Sequence, residues 1–161
     1  MEIEINPDIS LLDQAKMQAQ VLVPVLEALR AELGEERANR LVTGALRESS
    51  RETFRRMGAL IPGSPKDKWA AMNAASMPRI GTDVDVRMLE QEPDAMEFDV
   101  TGCRYADFFR QLGEPELGAV LLCEVDLHMV EVGKPEVELT RTQTIMKGAS
   151  HCDFRYRMKG A

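Results

Sequence analysis

The stretch Val84–Val100, VDVRMLEQEPDAMEFDV, decides the fold class, because the hydrophobic period becomes two there after a long helical run. Val84, Val86 and Met88 alternate with Asp83, Asp85 and Arg87. After the turn EQEPDA, Met96, Phe98 and Val100 alternate with Glu97, Asp99 and Thr101. Successive strand side chains point to opposite faces, so this pattern predicts a β-hairpin with one apolar face.

Toward the N-terminus the period is helical. Leu11, Ala15, Leu22, Leu26, Leu29 and Leu33 mark an amphipathic helix over 10–33, with Gly34 as its C-cap. Pro24 lies inside that helix and is expected to kink it or end it early. A second helix is expected from about Glu35 to Ala59. Ser64-Pro65-Lys66-Asp67 reads as the start of a third: a capping serine, proline in the first turn and an acid three residues on. It should run through Trp69 and Met72 to about Ser76, with Pro78 and Gly81 breaking it over Met77–Thr82.

Toward the C-terminus, Cys103–Leu112 reads as a helix packed through Tyr105, Phe108, Phe109 and Leu112 and closed by Gly113. Pro115 opens another. The segment CEVDLHMVEV, 123–132, alternates as a strand could, but the apolar run leading into it from Pro115 favours continuing the helix. Val137–Met146 and His151–Met158 read as a second strand pair around Lys147-Gly148-Ala149. The expectation is an α+β fold of order ααα-ββ-αα-ββ, with N-terminal helices packed on a small antiparallel sheet of two hairpins. Residues 1–161 are taken as one domain, helical over 1–82 and mixed over 83–161.

A formal net charge of -7 argues against nucleic-acid partners and against an anionic membrane surface. Apolar runs such as Ala119–Cys123 are too short to span a bilayer, and MEIEINPDIS has neither the basic nor the apolar region of a secretory signal. Three widely spaced cysteines, Cys103, Cys123 and Cys152, suit free thiols in a reducing cytoplasm. The spacing offers no metal site, and no cofactor fingerprint is present. The expected partner is a small molecule, with a homo-oligomer allowed.

At about 100° per residue along the helix after Pro115, Glu124, His128 and Glu131 share a face expected to meet water. Asp126 falls opposite, on the stripe of Ala119, Leu122, Cys123, Met129 and Val130. A carboxylate there must be paired or neutralised. It is either a structural anchor for an arginine or backbone group, or a site carboxylate with a tuned pKa. In SHCDFRYRM, 150–158, strand geometry sets Cys152, Phe154 and Tyr156 on one face and His151, Asp153, Arg155 and Arg157 on the other. A Cys152–His151 dyad is therefore not expected. Cys152 reads as a small buried hydrophobe or a pocket thiol, and the charged set as a solvated, charge-paired face. On the partner strand Arg141 and Gln143 interrupt the apolar row of Val137, Leu139 and Ile145. Arg141 either reaches the sheet edge or forms a bidentate fork with Asp126 or a substrate carboxylate. Thr140, Thr142 and Thr144 read as ordinary strand residues.

The runs CRYADFFRQLGEPELGAVLLCEVD and LTRTQTIMKGASHCDFRY resemble the L-2-amino-thiazoline-4-carboxylic acid hydrolase family. The likeness rests on Cys103, Tyr105, LGxPELG at 112–118, Cys123, Asp126, RTxT at 141–144, Gly148 and CDFR at 152–155. LEALRAELGEERA at 26–38 fits more loosely. The chain end is also similar to the small-ligand-binding domains named after vinyl reductase, an analogy of fold that carries no activity. The family resemblance implies hydrolytic opening of a cyclic isothiourea bearing a carboxylate, such as 2-aminothiazoline-4-carboxylate, to an N-carbamoyl amino acid. On that chemistry Asp126 is the first candidate to hold the amidine and direct water, with Cys152 a weaker nucleophile candidate. Arg141, then Arg155, would clamp the substrate carboxylate, with Cys103 and Tyr105 lining the site. A non-catalytic ligand-binding or sensory domain is the alternative.

Overall fold

A computed structural model describes residues 9–159 of the chain. The N-terminal segment read above for a secretory signal lies, through residue 8, outside the described residues.

Three helices come first: α1 (Leu11–Leu33), α2 (Glu35–Leu60) and α3 (Pro65–Ile80). The Ser64 hydroxyl accepts the Asp67 N–H while the Asp67 carboxylate accepts the Ser64 N–H, so the expected capping box starts α3. Neither proline ends its helix: α1 continues past Pro24, and α3, expected to break over Met77–Thr82, runs past Pro78 to Ile80. Each deprives a carbonyl one turn back, on Gln20 and Ala74, and both of those residues are exposed, which keeps the cost of the lost donor low.

The hairpin follows as β1 (Val84–Glu92) and β2 (Ala95–Cys103), then α4 (Arg104–Gln111), α5 (Pro115–Gly118), a π-helical turn (Ala119–Cys123) and α6 (Val125–Gly133). β3 (Val137–Thr140) and β4 (Cys152–Met158) complete one antiparallel sheet of order β1-β2-β4-β3. The strand expected over Val137–Met146 stops at Thr140. The Asp153 carboxylate accepts the N–H groups of Thr142 and Gln143, both at 2.9 Å, and the Thr142 hydroxyl at 2.6 Å, drawing the chain out of the ladder. A 3-10 turn at Ile145–Lys147 follows, capped at its start by the Thr144 side chain and closed by Gly148 at φ +95°. Thr142 and Thr144 thus act in local capping rather than as plain strand residues.

The sheet register sets Val100 opposite Cys152, Phe98 opposite Phe154 and Met96 opposite Tyr156. These side chains face the helices, Phe98 stacking on Phe154 at 4.8 Å and Tyr156 meeting Trp69 of α3 at 5.2 Å. Phe109, Leu117, Val137 and Met146 fill the core around them. Gly118 is required by close packing: a Cβ there would lie 2.5 Å from the Phe109 ring. The opposite sheet face is a lattice of ion pairs, Arg155 to Asp99 at 2.8 Å, Arg87 to Asp99 at 2.7 Å and Arg157 to Glu97.

Candidate functional site

The site begins with a helix irregularity. In an unbroken α-helix the Cys123 carbonyl would accept the Leu127 N–H. Here the Glu124 N–H reaches back five residues to Ala119, and the Leu127 N–H goes to Glu124 instead. The Cys123 carbonyl is left free of the helix, and Arg141 Nη2 donates to it at 2.8 Å. Arg141 Nη1 donates to Asp126 Oδ2 at 2.9 Å. The guanidinium lies 5.2 Å from the centre of the Phe154 ring. One arginine from beyond β3 therefore joins the π-helical turn, the first turn of α6 and the inner face of β4.

The Arg141 side chain is 7% exposed and that of Asp126 28%. Only Oδ2 of Asp126 is hydrogen-bonded among the described residues, so Oδ1 is a free acceptor facing accessible space. Desolvation pushes the Asp126 carboxyl up to about 6, despite the opposing pull of Arg141. Burial also holds the thiols protonated: Cys123 is pushed up to about 12, and Cys103 and Cys152 are raised. Cys123 lies within electrostatic reach of Arg141, Cys103, Asp126 and Cys152. Tyr156, raised first by burial, feels Asp126 and Arg141. The Cys152 sulfur accepts the Ile145 N–H at 3.3 Å.

Asp126 and Arg141 are thus joined directly, Cys123, Cys152 and Tyr156 lie within electrostatic reach of both, and Cys103 lies near the other two thiols. Tyr156 was not singled out from the sequence as a site residue, although sharing a β4 face with Cys152 was the signal for it. Arg155 lies on the other sheet face, bonded to Asp99 and to the Phe98 and Phe154 carbonyls. Tyr105 donates to Asp83 at 3.3 Å, tying α4 to the start of β1, while the Cys103 sulfur caps α4 by accepting the Ala106 N–H at 3.4 Å.

His128 differs from expectation. It is buried against Phe54 of α2, ring centres 6.4 Å apart, and neither ring nitrogen has a partner among the described residues. Glu131 is exposed as expected, but the charged face of α6 also turns to α2: Arg47 grips Glu124 at 2.7 and 3.0 Å, and Arg51 lies 3.5 Å from Glu131. Charged residues marked an interhelical seam there.

Among the described residues no helix is long and apolar enough to cross a membrane. A family model described as L-2-amino-thiazoline-4-carboxylic acid hydrolase matches residues 14–156. The sequence has no match among curated proteins. Among solved structures, the chain is similar to the phenol-responsive sensory domain of the transcription activator PoxR, crystallised with phenol. The TM-score is 0.46 at 15% identity, covering 98% of this chain and 76% of that one.

Proposed function

The chain belongs to the L-2-amino-thiazoline-4-carboxylic acid hydrolase family, and from that premise we propose that it hydrolyses a small cyclic amidine or isothiourea bearing a carboxylate. The first substrate to test is 2-aminothiazoline-4-carboxylate. Water adds to the amidine carbon, and the bond from that carbon to the ring sulfur breaks. The water oxygen remains as a urea carbonyl, and the sulfur takes a proton to become the thiol of N-carbamoyl-cysteine.

The observation that carries this reading is the Asp126–Arg141 pair, with one carboxylate oxygen fixed and the other free. The free oxygen accepts an N–H of the amidine or a proton from the attacking water. A base whose pKa lies near neutrality serves that task better than an ordinary aspartate. Arg141 holds Asp126 in place and presents positive charge to the substrate carboxylate. Cys123 and Cys152 lie near the pair as protonated thiols, Phe154 lies against the Arg141 guanidinium, and Tyr156 feels both charges. Cys152 has no base beside it in this reading and is not a nucleophile. Arg155, turned to the other face, takes no part.

The test is release of product thiol from 2-aminothiazoline-4-carboxylate, compared between the wild type and Asp126→Asn. Turnover by the wild type and its loss in a folded variant are expected. Tight binding of thiazolines and cyclic ureas by the wild type without turnover would overturn the reading in favour of a non-catalytic ligand-binding domain.

A further inference from the structure

We propose that the free edge of β1 pairs with β1 of a second copy of this chain, joining two four-stranded sheets into one of eight. Among the described residues β1 pairs only with β2, so alternate backbone groups along its outer edge have no strand partner. The helices leave this end of the sheet uncovered. Val86 and Met88, which share a face with Val100 and Phe98, are 50% and 48% exposed.

The edge is regular where pairing would occur. The shift between Asp85 and Val86 places its extra residue, Thr101, on β2, and the next extra residue, Leu89, lies beyond Met88. Val84–Met88 is therefore an unbroken edge. Antiparallel self-pairing centred on Val86 sets Val86 opposite Val86, Val84 opposite Met88 twice, and Asp85 opposite Arg87 twice. One face of the junction is wholly apolar, and the other holds two pairs of opposite charge. Moving the centre by one residue either way sets Asp85 or Arg87 against its own copy, so charge selects a single register. Arg87 already bonds Asp99, yet its side chain is 64% exposed and keeps donors for Asp85 of the second copy.

Sedimentation velocity on the full chain tests this. The wild type should dimerise. Asp85→Lys, which sets lysine against arginine at two symmetry-related positions, should weaken dimerisation about tenfold or more. The melting temperature of Asp85→Lys should match the wild type, so that what is lost is the pairing and not the fold. Val86→Cys should give an intermolecular disulfide under mild oxidation, and Leu89→Cys should not. A monomeric wild type, or a dimer indifferent to Asp85→Lys, would overturn the proposal.

Discussion

Two aspartates, Asp99 and Asp126, bond arginines at nearly the same distance, 2.7 Å from Arg87 and 2.9 Å from Arg141, with opposite results. Asp99 stands on the outer sheet face, covered by the guanidinium groups of Arg87 and Arg155, which hold its carboxyl below the usual range. Asp126 has one arginine and is half-buried, and desolvation outweighs that arginine and lifts the carboxyl to about 6. An ion pair by itself does not set a pKa; the balance between the cations bonded to it and the desolvation around it does. The outer pairs order a surface, whereas the inner pair holds a carboxylate poised between its two protonation states near neutral pH.

The sharpest way to break this contrast is chemical. Asp126→Asn should lower turnover of 2-aminothiazoline-4-carboxylate by about 10²–10⁴, the usual worth of a general base. The amide still accepts from Arg141, so the melting temperature should stay close to wild type. Asp126→Ala leaves the nearly buried Arg141 without its carboxylate and should destabilise the fold by about 3–5 kcal/mol in urea titrations. If Ala and Asn unfold alike, the inner pair carries no structural weight.

Acidity sharpens the comparison further. With Asp126 as base, kcat/KM should fall as pH drops through about 6. Unfolding driven by this residue cannot cause that fall. Its folded pKa lies above the ordinary 3.8, so its contribution to stability is full below that value and declines as pH rises through about 6. Activity lost with acid while the fold holds would fit Asp126; an acid limb unchanged in residual Asp126→Asn activity would remove it. The smallest effect is expected outside. Asp99→Asn should leave turnover unchanged and lower thermal stability modestly, because the amide keeps an acceptor for Arg155 but loses the charge that Arg87 and Arg155 share. A large turnover loss there would erase the distinction between the faces.

Features set within a few residues of chain were legible in the sequence. The hairpin at 84–100, the Ser64 capping box and the two-sided character of SHCDFRYRM followed from periodicity and local chemistry, as did the placing of Asp126 on an apolar stripe. Charge alone misled at His128, because the acids beside it turn to arginines of α2 that no local pattern reveals. Thr140 looked like mid-strand, because nothing nearby announced that Asp153 would take the N–H groups of Thr142 and Gln143.

By itself, then, the sequence determined the order of elements, the faces of the strands and a carboxylate needing a partner, since each depends on neighbours along the chain. Only the tertiary structure chose that partner. The π-helical turn freed the Cys123 carbonyl, Arg141 crossed from beyond β3 to take it together with Asp126, and the protein packed around the carboxylate desolvated it enough to raise its pKa. Desolvation depends on everything packed around a group, and no window of sequence contains that.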